Sequence, residues 1–278
     1  MRIDKIKDKI FVRQSWLNDL VICPERARYG ALRPEFRIGS DATIMGTAVH
    51  SGIESVLGGT SDFEGMQQVV AEQYEVLAQS PHKQTNINQE LIPDYLRSMC
   101  KSFYDSILPQ VKLGGKIEHR FQAPLGCMVD GYAVWVEGTM DYVDPDGIIW
   151  DWKTASRAYN IKDKQKSSIQ ASVYSVAAVQ TGLSEGYPVD FRYGVMVRHQ
   201  TPKAQVVSLV RNHAHTLWLQ QFTKGAINTA VNVGYDNNWF MNDTSALCSE
   251  QWCSFWSICK GAFVKESDNA FPDQLNVG

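Results

Sequence analysis

Residues 136–156, VEGTMDYVDPDGIIWDWKTAS, constrain this chain more than any other stretch. Two β-type runs, YAVWVEGTMDYV and IIWDWK, flank Asp144-Pro145-Asp146-Gly147, which is strong turn chemistry. A tight turn there brings Asp141 near Asp151 and Lys153. Side chains alternate along a strand, so Asp151 and Lys153 share one face, about 6.6–6.8 Å apart along it. An acid and a lysine on one face of an otherwise apolar strand cost stability unless they find partners. Two carboxylates converging on one point repel each other unless a cation lies between them, and hard oxygen ligands suit Mg²⁺ or Mn²⁺. Taken alone, D-x-K is commonly no more than a salt bridge at a strand end.

The surrounding texture is mixed. Residues 15–29 predict a short helix from Ser15, then a second helix beginning at Pro24 with Cys23 at its cap. Met45, Val49, Ile53 and Val56 recur at helical spacing over 43–57. Segments 65–79 and 89–109 have the same period, separated by the polar SPHKQTNINQ, so 58–112 reads as a helical insert or subdomain. From about 116 strands take over: IEHRFQA, the two runs above, and later FRYGVMVRH and AQVVSLV. A helix within 162–182 presents Ile169, Val173, Val176 and Ala177 on one face, and a long helix follows from about 211 to 231. No βαβαβ series is long enough for a dinucleotide-binding fold, which leaves a mixed α/β core. The net charge of −3 argues against a polybasic binder but permits a local basic groove. No apolar run approaches the roughly 18 residues of a membrane span. The opening MRIDKIKDKI has no signal-peptide character, so a cytoplasmic protein is expected.

Three features add to the acid–lysine strand. His50 ends GTAVH on the 43–57 helix, Asp141 ends GTMD, and Gln170 and Tyr174 lie at i, i+4 in QASVY. Singly, His50 reads as a core histidine and Tyr174 as core filling. In the order GxxxH, GxxD, DxK, QxxxY, the chain resembles the PD-(D/E)xK nucleases of the RecB-like branch. The resemblance covers most of the chain and implies a restriction-endonuclease-like central mixed sheet flanked by helices, as a single domain over 1–278. It implies that His50, Asp141 and Asp151 hold the divalent cation, helped by the Trp152 carbonyl. Lys153 would orient and help deprotonate the attacking water, and Gln170 and Tyr174 would support Lys153 or the DNA strand. Glu137 and Glu118 are candidate extra acids.

Of six cysteines, Cys248, Cys253 and Cys259 fall within twelve residues, and Cys23 precedes a proline near the other end. Nothing indicates secretion, so metal or catalytic use precedes disulfides, with packing and a zinc site as further readings. RecB-like nucleases with an iron–sulfur cluster place one cysteine early, before Pro, and three after the core. That resemblance implies a 4Fe–4S cluster on Cys23, Cys248, Cys253 and Cys259, within a clamp made of 15–30 plus 240–265. Its role would be structural, because closing so long a loop removes several kcal/mol of unfolded-chain entropy. Cys100 and Cys127 read as packing residues, Cys127 at a strand start.

Lys153 to Lys166 carries a net charge of +4 beside the proposed centre, nominating Arg157, Lys162, Lys164 and Lys166 for backbone phosphates. A solvated loop and helix start is the plainer reading. No sequence-reading module is visible, so DNA binding would be sequence-independent. The combined expectation is a metal-dependent deoxyribonuclease, an exonuclease on single-stranded or frayed ends in recombination, repair or spacer acquisition. It would act alone, as a homo-oligomer, or with recombination or adaptation proteins. The competing readings are a non-catalytic DNA-end-binding subunit and a structure-specific endonuclease.

Overall fold

The computed structural model describes residues 1–4, 6–81 and 87–264. The middle of the polar 80–89 stretch and residue 265 of the cysteine-bearing segment lie outside them. Two strands open the chain, β1 (Arg2–Asp4) and β2 (Lys9–Arg13). Five helices follow: α1 (Gln14–Ile22), α2 (Pro24–Leu32), α3 (Asp41–Leu57), α4 (Phe63–Ala78) and α5 (Ile92–Ser102). Then come β3 (Lys116–Val129), β4 (Tyr132–Val143), β5 (Ile149–Ala155), α6 (Ile161–Ser167) and α7 (Ile169–Gln180). The chain continues through β6 (Val189–Val197), β7 (Ala204–Arg211) and α8 (His213–Val233). Among the described residues no helix is long and apolar enough to cross a membrane. By internal contacts the described residues divide into two compact units, those within 1–14 and 39–227, and those within 15–38 and 228–264.

The first unit is a mixed seven-stranded sheet with helices. Its order runs β1-β2-β4-β5-β6-β7, with β3 paired to β4 as well. One edge of β4 is covered by antiparallel β3. Its other edge is shared end to end: β2 runs parallel to it as far as Glu137, and β5 pairs antiparallel from Tyr142. The β4–β5 turn forms as its residues predict. Asp144 Oδ1 accepts the N–H groups of Asp146 (3.0 Å) and Ile148 (2.9 Å), and Gly147 takes φ +79°. On β5 the alternation sorts chemistry by face. Trp150 and Trp152 stack at 5.5 Å inside a cluster built with α3, α4 and α5, while Asp151 and Lys153 point away from it. The predicted stripe Met45, Val49, Ile53 and Val56 is buried in that same cluster.

Several expectations needed correction. The strands β1 and β2 were not predicted, because charges crowd the short apolar run Ile10–Val12 that β2 buries. The 162–182 segment forms two helices rather than one, broken at Ser168, whose hydroxyl accepts the Ala171 N–H as the cap of α7. Cys127 is not at a strand start: β3 continues past Pro124 through a register shift and carries Cys127 near its far end. The helices of 58–112, expected as a helical insert or subdomain, pack with α3 in one buried cluster, which leaves that expectation standing.

The second unit joins residues distant in the chain. Glu25, 3% exposed, forms a two-point pair with Arg28 and accepts the Trp239 N–H at 2.8 Å. Arg28 in turn donates to the Tyr235 carbonyl at 2.9 Å, and the Tyr29 hydroxyl donates to the Ile258 carbonyl at 2.9 Å. A buried ion pair with its remaining hydrogen bonds satisfied is costly to break from one side.

Close helix packing supplies a direct test. A Cβ on Gly52 of α3 would collide with Val70 Cγ2 and come within 3.2 Å of the Met66 carbonyl on α4. Gly52→Val should lower stability by about 2 kcal/mol, measured as a lower urea midpoint at unchanged slope.

Candidate active site

The hand-over on the β4 edge creates the site. Beyond the Tyr142–Trp150 pair, β5 leaves β4 and keeps only β6 as a partner, along its whole length. The Trp152 peptide on the vacated side must be satisfied otherwise, since a buried unpaired N–H or C=O is costly. Asp141, at the hand-over, accepts the Trp152 N–H on Oδ2 at 2.7 Å. His50, from α3, donates Nε2–H to the Trp152 carbonyl at 2.9 Å. A carbonyl can only accept, so in the neutral ring Nδ1 carries the lone pair, and it faces Asp141 Oδ2 at 3.8 Å. Burial, and then the charge of Lys153, hold the His50 pKa below the ordinary value and favour that neutral ring.

Asp151 is fully buried. Its Oδ1 accepts Gln170 Nε2 at 2.6 Å, and its Oδ2 pairs with the Lys153 ammonium. Gln170 Nε2 also reaches the Tyr174 hydroxyl at 3.3 Å, and Gln170 Oε1 accepts from the Tyr193 hydroxyl at 3.5 Å. Gln170 therefore supports the carboxylate of Asp151 rather than Lys153. Tyr174 is wedged between Phe121 and Phe191, at ring distances of 5.6 and 6.1 Å.

The electrostatics are those of crowded, desolvated charge. Burial raises both Asp141 and Asp151 above the usual carboxylate range, with Lys153 opposing the rise. Burial alone would lower Lys153, but Asp151 and Asp141 outweigh it and hold the ammonium above its ordinary value. Two further acids face this group. Glu54 lies one helical turn beyond His50 on α3, and Glu118 lies on β3 with a left-handed φ of +47°. Both lift the Asp141 pKa further. Glu54 escaped the sequence reading although its i, i+4 spacing from His50 was visible. Glu137 does not join them, because Arg13 Nε (3.1 Å) and Gln122 (3.1 Å) engage its carboxylate.

Among the described residues no three His, Cys, Asp or Glu side chains are gathered closely enough to hold a metal ion as they stand. At this centre the reason is plain: Lys153, Gln170 and the Trp152 N–H occupy the carboxylates. The donor set nonetheless fits a hard divalent cation, with two carboxylates, a neutral imidazole, a carbonyl and no thiolate. Of the basic stretch, Arg157, Lys162 and Lys166 are exposed and Lys164 is half-buried.

In the second unit, Cys23 caps α2 and accepts the Asn242 N–H on Sγ at 3.4 Å. Cys23, Cys248, Cys253 and Cys259 line one pocket with Ile22, Met241, Phe255 and Trp256, and none of the four forms a disulfide among the described residues. Burial pushes Cys259 up to about 11, and neighbouring Cys23 and Cys253 add to the rise. Cys100 is 1% exposed and raised to about 12 by burial, as a packing thiol should be.

The family model of the PD-(D/E)XK nuclease superfamily matches residues 14–260. The chain belongs to that superfamily. Its nucleases generally use Mg²⁺ or Mn²⁺. A solved structure from Eubacterium rectale, provisionally named an exonuclease, is similar in fold, with a TM-score of 0.55 at 10% identity over 89% of this chain and 92% of that one. At such identity the likeness concerns fold alone. A second structure, SSO0001, aligns at a TM-score of 0.34 with 14% identity over 82% and 80% of the two chains, too weakly to carry an argument. No curated protein matches.

A cation entering between these carboxylates would offset their mutual repulsion. Mn²⁺ at a hundredfold its dissociation constant should stabilise the protein by about 2.7 kcal/mol, read as a higher Tm. Asp151→Asn should abolish the rise.

Proposed function

We propose that this chain is a divalent-metal-dependent deoxyribonuclease, acting as an exonuclease on single-stranded or frayed DNA ends in recombination, repair or spacer acquisition. The observation that carries the reading is the meeting of Asp141, Asp151, His50 and Lys153 around the Trp152 peptide that the sheet leaves unpaired, in a chain of a nuclease superfamily. The name of the Eubacterium rectale neighbour points the same way. A dead relative has no reason to retain all four side chains, which disfavours a purely DNA-binding subunit.

In this reading Asp141, Asp151 and His50 hold the cation, with the Trp152 carbonyl beside them. A bound Mg²⁺ or Mn²⁺ stabilises charge on the phosphoryl oxygens and acidifies its water. Gln170 fixes the Asp151 carboxylate in place, and Tyr174 buttresses Gln170. Lys153, paired with Asp151, orients the attacking water, helps to deprotonate it and places positive charge where negative charge develops. The basic stretch Arg157, Lys162, Lys164 and Lys166 steers the strand by its phosphates, without reading bases.

The second part of the proposal is a structural 4Fe–4S cluster on Cys23, Cys248, Cys253 and Cys259. Four thiols around a single pocket support it.

Labelled single-stranded DNA with Mn²⁺ tests the enzyme. Lys153→Ala should reduce degradation by about 10²–10³-fold and Asp151→Ala should abolish it, both with DNA binding retained; retained cutting would mean the centre is misassigned. Anaerobic purification tests the cluster. A brown protein with visible absorbance is expected, and Cys259→Ala should bleach it and lower solubility before it lowers nuclease chemistry. A colourless, soluble, fully active wild type would exclude the cluster.

A further inference from the structure

Of the basic residues that follow β5, one is housed differently from the rest. Residues 155–160, with Asp163 and Lys164, line an open pocket of 650 Å³. The Lys164 ammonium stands 4.3 Å from the Tyr159 ring centroid and 5.6 Å from that of Tyr193. Among the described residues it forms no ion pair with a carboxylate, although it is half-buried. Desolvation and the charge of Lys153 both weigh against its proton. A lysine meant only for solvation would extend into water, as Lys162 and Lys166 do.

The frame around Lys164 is built from three other elements. Gln205 of β7 grips the Tyr159 backbone twice, accepting its N–H at 2.7 Å and donating to its carbonyl at 3.1 Å. The Tyr193 hydroxyl is tied to Ser168 at 2.6 Å. From behind, Arg211 donates Nη2–H to the Lys164 carbonyl at 3.0 Å. Arg211 is 1% exposed, its Nε finds no partner, and no carboxylate pairs with it among the described residues. Arg211 thus anchors the Lys164 backbone from within, and the Lys164 ammonium, without a carboxylate partner among the described residues, remains available to an anion. Lys153 lies 6.0 Å from the same Tyr193 centroid, so the two ammoniums are no more than about 12 Å apart.

We infer that Lys164, seated against the paired rings of Tyr159 and Tyr193 and held in place by Gln205 and Arg211, is the subsite for the backbone phosphodiester adjoining the one at Lys153. The subsite rests on the nuclease reading and narrows it. Lys164 contacts the strand; Gln205 is a positioning residue that acts through Tyr159. The Tyr159 ring under the ammonium, itself packed edge-on against Tyr193 at 5.7 Å, fixes where the charge sits, so the strand meets a set position rather than a diffuse charge.

The experiment measures equilibrium binding of a fluorescein-labelled oligothymidylate to the full chain in EDTA over a range of KCl concentrations, which needs no turnover. Lys164→Gln should weaken binding about fivefold near physiological salt and reduce the slope of log K against log salt by about 0.7–1. The loss should be equal on a mixed-sequence oligonucleotide, and Lys164→Arg should restore most of the slope. Gln205→Ala should weaken binding in the same direction, and the double variant with Lys164→Gln should bind no worse than Lys164→Gln alone. An unchanged slope in Lys164→Gln, or additive losses in the double variant, would overturn the subsite while leaving the nuclease reading intact. A wild type that neither binds nor degrades DNA would overturn both.

Discussion

The Trp152 peptide is the point on which the centre turns. A strand inside a sheet has both edges occupied, and β5 would be such a strand if β4 followed it to its end. Instead β4 gives its edge to β2 up to Glu137 and to β5 only from Tyr142. The separation leaves a buried N–H and C=O of Trp152 without a strand partner. Asp141 and His50 are the groups that answer them. Backbone satisfaction, a requirement of any fold, thereby draws together side chains from β4 and α3 that chemistry can use.

The charges gathered there are costly for the fold and useful for the reaction. Asp151 is fully buried, and the rise of both carboxylates reflects desolvation that Lys153 only partly offsets. Gln170, Tyr174, Tyr193 and Ser168 then form a chain of hydrogen bonds that removes freedom from Asp151. Such preorganisation lets a centre act on developing charge without first rearranging. The cysteine-lined unit follows a different logic. There Glu25, Arg28 and Tyr29 engage the backbone of residues 235–258, so segments from opposite ends of the sequence share one small core.

Much of this was legible in the residues. The hairpin over 136–156 announced itself through its turn, the helical stripe from Met45 to Val56 through its period, and Cys23 through the proline after it. The residues less easily read were those whose role depends on distant partners. The short β2 run is ordinary as sequence, and becomes a strand because β4 offers it an edge. Glu137 and Glu118 looked alike as spare acids. Arg13, from β2, neutralised one, while the other stayed beside Asp141.

Local order therefore determined which residue types would sit on which strand face and helix stripe, because alternation and helical period depend on near neighbours alone. Only the tertiary structure decided that Gln170 would hold Asp151, that Gln205 would hold Tyr159, and that Lys164 rather than Lys162 or Lys166 would rest against the Tyr159–Tyr193 ring pair. Those choices depend on which edges of the sheet are paired and which peptides are left unsatisfied. That is a property of the closed sheet, and no stretch of sequence contains it by itself.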